Sequence, residues 1–235
     1  MPAKHVKVLS AKQRAKPSQP AHKPKSTHVP LGQWIAEAVI SGRFFYSFEY
    51  SVAHDPSPED LFDRVQRMGH DLRPLWVDLT WGFGDIGQRT IEAARLIQKH
   101  LHLLVLMHLI LTDMTVEALD AALDAARLAG VRAILAMRGF TQGNCNRWQR
   151  CDGGLDHADE LVAHIKRRHG SHFSLGVVGF PETHPESREE LSGATDSEAL
   201  EDVNRLKAKV QASIIKHLPA ARGHSSLIPA TLPCT

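Results

Sequence analysis

The sequence predicts an α/β fold built on a parallel sheet. Two observations carry the prediction. Apolar strand-like runs alternate with amphipathic helical segments, and the alternation repeats about every 30 residues, the size of a βαβ unit. The runs Leu75–Thr80, Leu103–His108, Val131–Met137 and Phe173–Gly179 are apolar almost throughout, as strands covered on both faces are. With the aromatic run Phe44–Tyr50 ahead of them they make about five strands, which fits either an open doubly wound sheet or part of a (β/α)8 barrel. In both folds the working residues gather on the loops that follow the carboxyl ends of the strands.

The chain begins with a basic stretch, residues 1–32, that has no acid before Glu37 and is broken by Pro17, Pro20, Pro24 and Pro30. Too few apolar residues are present to bury, so a disordered basic tail is expected. Leu31–Ile40 is a short apolar-periodic segment leading into the first strand. That strand is aromatic, Phe44-Phe45-Tyr46-Ser47-Phe48-Glu49-Tyr50, and carries a carboxylate at its end. A buried, unpaired Glu49 is costly; at the mouth of a pocket the same group becomes a proton donor. A strand-end Glu pointing into water is the plainer alternative.

The helices announce their ends. Ser57-Pro58 opens one with an N-cap and a first-turn proline, and Leu61, Phe62, Val65 and Met68 form its apolar face. Gln88–His100 follows the second strand, with Ile91, Ala94 and Ile97 inward. Thr115 caps Val116–Ala129, which Gly130 stops. His157–His169 ends at Gly170, and Ser197–Gln211 places Leu200, Val203, Leu206 and Val210 on one side. Phe140–Leu155 and Pro181–Gly193 read as loops.

Composition narrows the function classes. Hydrophobic content of 43% and charged content of 23% suit a soluble globular protein, and a net charge of +2 gives no case for nucleic acid. No apolar run approaches the roughly 20 residues of a membrane span. Three cysteines make no even disulfide framework, so a reducing, cytoplasmic setting is expected. Fifteen histidines are present, but no pair has a tight metal-site spacing, and no metal is expected.

Strand ends supply the candidate residues: Glu49, Thr80-Trp81, His108, Arg138-Gly139 and Phe180 through His184. His108 reads either as a ligand contact or as a core histidine satisfied by a carbonyl. Arg138 could hold a phosphate or a carboxylate. Lys207 and Lys209 could meet phosphate or lie on a solvated helix face. Gly82-Phe83-Gly84-Asp85-Ile86-Gly87 matches G-x-G-x-x-G between a strand and a helix. No acid ends the next strand about 20 residues on, so a glycine-rich turn is the plainer reading.

Taken together, six stretches resemble the catalytic domain of methylenetetrahydrofolate reductase. They are Tyr46–Glu49, Val77–Gly82, Val105–Leu109, Ile134–Gly139, Gly176–Glu186 and Leu206–Val210, in that family's order and at close to its spacing. The resemblance implies a (β/α)8 TIM barrel that binds FAD, takes hydride from NAD(P)H and reduces 5,10-methylenetetrahydrofolate to 5-methyltetrahydrofolate, within one-carbon metabolism and methionine supply. It implies Glu49 as the general acid toward the folate nitrogen. It implies FAD contacts at Thr80, Trp81, His108, Arg138, Gly139, His157, Ala158, Phe180, His184, Asp202 and Lys209.

Departures accompany the match. Phe140 stands where the family's Arg-Gly-Asp turn has its aspartate, and His157 and Phe180 each take a place usually held by Tyr. Tyr50-Ser51-Val52-Ala53 replaces Phe-Phe-Pro-Pro after Glu49. The likeness stops beyond Ala212, so an incomplete TIM barrel of about five βα units is expected. It would occupy 33–212, with 213–235 an irregular C-terminal tail, as from a truncated gene model, a frameshift or a splice variant. Folate and NAD(P)H are the expected partners, with a homo-oligomer or a full-length reductase as protein partner and neither nucleic acid nor membrane. The alternative function is a catalytically inactive homologue that binds or regulates a full-length reductase.

Overall fold

The computed structural model describes residues 29–82, 84–139, 148–179, 200, 203–209 and 228–229. Helix α1 (Leu31–Ile40) precedes β1 (Ser47–Tyr50), and a 3-10 turn at Val52–His54 leads to α2 (Pro58–Leu72). Then follow β2 (Trp76–Leu79), α3 (Ile86–Leu96) with a π-helical end at Ile97–Leu101, and β3 (Leu104–Ile110). The series continues with α4 (Val116–Leu128), β4 (Ala133–Met137), α5 (Ala158–His169) and β5 (Ser174–Val177). Residues 203–209 are helical, and Ile228–Pro229 forms a short β6.

Strand order decides between the two folds that the sequence leaves open. The strands lie in the order β1-β2-β3-β4-β5-β6, with β1 through β5 all parallel and β6 antiparallel to β5. A doubly wound sheet reverses direction at a switch point. Here each parallel strand pairs with the next in sequence, which is the arc of a (β/α)8 barrel.

The two faces of the sheet bury different sets. Val77, Leu79, Val105, Met107, Leu109, Ile134, Ala136, Leu175 and Val177 pack with the inward residues of α2 to α5. The opposite, lumen-side face carries Trp76, Leu104, Leu106, Ala133 and Leu135, and α1 covers it with Leu31, Trp34, Ile35 and Ala38. Both faces are therefore apolar, and polar residues on the lumen side become informative.

Local chemistry explains the helix ends. Ser57 Oγ accepts from the Asp60 amide at 3.2 Å and Pro58 begins α2. Thr115 Oγ1 accepts from the Ala118 amide at 3.2 Å at the start of α4. Gly170, at φ +59°, closes α5.

Several expectations shift. The aromatic strand begins at Ser47, because the ladder opens with the Leu75 amide donating to Tyr46 O at 2.8 Å; Phe44 precedes it, 77% exposed. β3 runs on to Ile110, since Leu106 through Ile110 pair with Ala133 through Met137. His108 is thus inside a strand rather than at its tip. Two of the G-x-G-x-x-G glycines serve packing: a Cβ on Gly82 would overlap Ile86, and one on Gly87 would meet the Trp81 ring at 2.5 Å, while Gly84 turns the chain at φ +61°. The expected 1–32 tail lies outside the described residues up to residue 28, and α1 opens at Leu31.

Candidate active site at the carboxyl ends of the strands

Among the described residues, a row of ionisable side chains interrupts the lumen side, where Ser47 and Ser174 are also polar. Glu49 on β1 is in register with Asp78 on β2. In-register residues on parallel neighbours point to the same face. Asp78 alternates with Trp76, so all three belong to the lumen side. His108, two residues beyond Leu106, shares that face, and its Nε2 stands 3.6 Å from Asp78 Oδ1. Asp78 and His108 are 4% and 7% exposed, whereas Glu49 is exposed. An acid open to solvent therefore neighbours a buried acid–imidazole pair.

The segment after β1 is held by side chains from α2, α3 and β2. Thr80 Oγ1 accepts from the Val52 amide at 3.2 Å, and Thr80 O accepts from Thr90 Oγ1 at 2.9 Å. Arg89 donates to Val52 O at 3.4 Å and to Asp55 O. Arg64 pairs with the Asp55 carboxylate and lies 5.1 Å over the Tyr50 ring. Burial pushes the Tyr50 hydroxyl above its ordinary value, with Arg64 opposing. Trp81 is turned toward the helical layer, against Gly87.

Past β4, Arg138 is half-buried with its guanidinium 5.4 Å from the Trp148 ring, and Arg138 O accepts from the Leu111 amide at 3.1 Å. Gly139 follows at φ +95°, where a Cβ would overlap Thr112 Oγ1. Trp148 Nε1 donates to that same oxygen at 3.3 Å. Beyond β5, Leu206 packs on Gly179 and Lys209 Nζ donates to Val178 O at 3.0 Å. The 203–209 helix therefore sits over the carboxyl end of β5. At the start of α5, Ala158 is buried and His157 Nδ1 lies 3.3 Å from Asp156. Burial lowers the His157 pKa, Arg205 and Arg138 lower it further, and Asp156 and Asp159 oppose them.

The methylenetetrahydrofolate reductase family model matches residues 34–214. The chain belongs to that family. It is similar to methylenetetrahydrofolate reductase (NADH) 1 of Zea mays, 36% identical over 181 residues that cover 76% of this chain and 30% of that protein. It is also similar to methylenetetrahydrofolate reductase 2 of Saccharomyces cerevisiae, 37% identical over 149 residues covering 62% and 25%. The chain thus spans about a third or less of these curated relatives. Among solved structures, the tryptophan synthase alpha chain of Legionella pneumophila is similar at TM-score 0.45 and 14% identity, covering 76% of this chain and 72% of that one.

In this family member the expected site residues fall into two groups. Glu49 and His108 belong to the row on β1 to β3, and Thr80, just past β2, anchors the loop after β1. Arg138, Gly139, His157, Ala158 and Lys209 lie around the ends of β4 and β5. Trp81 stands apart in the helical layer. Phe180, His184 and Asp202 lie outside the described residues, as does Phe140. Among the described residues no group of three or more His, Cys, Asp or Glu could hold a metal ion. Sequence reasoning missed Asp78, Arg89 and Arg205. A signal for Asp78 was present: it is the lone charge in Leu75-Trp76-Val77-Asp78-Leu79. Arg89 and Arg205 carried no local signal, because surface-type residues on helices are ordinary.

Proposed function

We propose that residues 33–212 form part of the catalytic domain of a flavin-dependent methylenetetrahydrofolate reductase. The reaction is the reduction of 5,10-methylenetetrahydrofolate to 5-methyltetrahydrofolate with NAD(P)H, in the cytoplasm, feeding one-carbon metabolism and methionine supply. The observation that carries the reading is the row Glu49–Asp78–His108 on the lumen side of a chain in this family. The Zea mays relative is named for NADH, and NADH is the reductant to test first.

The residues present fit FAD. A diphosphate needs cations and amide donors. Arg138, Arg205 and Lys209 approach the ends of β4 and β5 near the start of α5, and the first two act electrostatically on His157. When bound, FAD supplies the hydride chemistry between nicotinamide and folate. His108 and Thr80 would contact its ring system. Glu49 would hand a proton to the folate nitrogen as the methylene bridge opens. The exposure of Glu49 leaves its carboxyl free to meet a substrate.

Glu49→Gln tests the assignment. The expected result is bound flavin by absorbance, near-normal bleaching by NADH, and loss of folate turnover. Survival of folate turnover removes Glu49 from the proton-donor role. A second reading, an inactive homologue docked on a full-length reductase or on another copy, is favoured by the open side of β1. Among the described residues its outer edge has no strand partner, and Phe44, just before it in the chain, is 77% exposed. A colourless chain that co-purifies with a full-length reductase supports that reading instead.

A further inference from the structure

We infer that Asp78 is a positioning residue that fixes which ring nitrogen His108 offers to a ligand. The inference rests on the proposed flavin site only for the identity of that ligand. Asp78 is a buried acid in a strand whose other residues are apolar. An ionised carboxylate in such surroundings requires a partner. Among the described residues its ion partner is His108, with Nε2 3.6 Å from Oδ1.

At 3.6 Å the contact is longer than a hydrogen bond, and the carboxylate acts on the imidazole through its charge, which favours a hydrogen on the ring nitrogen that faces it. An Nε2 lone pair facing a carboxylate oxygen would be repelled, so Nε2 carries the hydrogen whether the ring is neutral or charged. Nδ1 is left as the ring nitrogen available to a bound group. The same orienting logic operates where a carboxylate holds the far nitrogen of a metal-binding histidine. Backbone placement makes the arrangement durable. Asp78 is fixed by its ladder to β1 and to β3, and His108 by its ladder to β4. Glu49, in register on the other side of Asp78, is free of this pairing and remains open to solvent.

The full chain labelled with 15N-histidine, without flavin, gives the direct measurement. Two-bond proton–nitrogen correlation spectra distinguish the two tautomers, and His108→Gln identifies the signals by their loss. The expected signature is hydrogen on Nε2. Asp78→Ala is expected to lose that fixed state, while Asp78→Asn, which keeps an acceptor oxygen, retains it. Hydrogen on Nδ1 in the unmodified chain, or an unchanged signature in Asp78→Ala, overturns the inference. If circular dichroism shows Asp78→Ala unfolded, the unmodified chain and Asp78→Asn still decide. A separate FAD titration is expected to show weaker binding in Asp78→Ala, mostly restored in Asp78→Asn. A chain that binds no FAD yet shows the Asp78-dependent signature defeats the flavin reading and leaves the positioning role intact.

Discussion

Gly139→Ala probes the turn that follows Arg138 at the end of β4. Gly139 sits at φ +95°, where an L side chain costs roughly 1–2 kcal/mol. The added Cβ would overlap Thr112 Oγ1 and approach Ile110 Cβ to 3.2 Å and Thr112 Cβ to 3.4 Å. Thr112 is 5% exposed and its hydroxyl accepts from Trp148 Nε1 at 3.3 Å, so it has little room to turn away. Overpacking of this kind adds about 1–3 kcal/mol, for a total loss of about 2–5 kcal/mol. Thr112→Ala alone gives up the Trp148 bond, a cost of about 1 kcal/mol. In the Gly139→Ala background it removes the worst overlap and should return about 1–2 kcal/mol, reversing its sign. Urea unfolding of the four proteins of this cycle, at matched m-values, measures the coupling. A loss below about 1 kcal/mol for Gly139→Ala, or strictly additive single effects, refutes the reasoning.

Three further outcomes are expected. Arg89→Leu should cost about 1–3 kcal/mol and speed amide exchange in the 51–57 segment; unchanged exchange there rules out Arg89 as its anchor. Ser57→Ala removes the cap on Asp60 and should lower stability by about 1 kcal/mol, read as a lower urea midpoint. Stability should also fall as pH falls, through buried His169 and half-buried His172. Burial holds His169 and His172 below the ordinary 6.5, so the unfolded chain binds their protons more readily. Their contribution is present above 6.5 and is lost as pH falls toward the depressed native values. Urea midpoints at about pH 7.5 and about pH 5.5 measure it, with His169→Phe expected to flatten the change; equal midpoints in the unmodified chain contradict it.

What could be read in the sequence was local. Ser57, Thr115 and Gly170 mark helix ends because capping is settled within a turn or so of chain. The five parallel strands were legible for the same reason, each an apolar run between turn residues. Strand order was not, since a doubly wound sheet and a barrel arc use the same βαβ unit and differ in long-range pairing. His108 shows the limit. A run that is apolar on both faces has no period to mark its end, and β3 continues through Leu109 and Ile110 because β4 extends to pair with them. Trp81 was expected to face the cofactor on adjacency to Thr80 alone. Gly87 instead opens a place for its ring in the helical layer, a contact that neither residue announces by itself.

The segment after Glu49 shows how the chain reaches a fixed loop by another route. The family resemblance leads one to expect two prolines there, whose restricted backbone would stiffen the exit from β1. This sequence has Val52 and Ala53. Stiffness must then come from contacts, and the structure has them at successive points: Thr80 takes the Val52 amide, Arg89 binds the carbonyls of Val52 and Asp55, and Arg64 pairs with the Asp55 side chain. These anchors lie on β2, α3 and α2, so the loop is tied to the scaffold on several sides. The consequence differs from that of proline. A ring restricts the chain even when unfolded, whereas side-chain anchors act only once β2, α2 and α3 have packed. Loosening them should therefore raise local exchange in the 51–57 loop while leaving the exchange of the β2–β3–β4 core near that of the unmodified chain, a separation that proline-based stiffening would not produce.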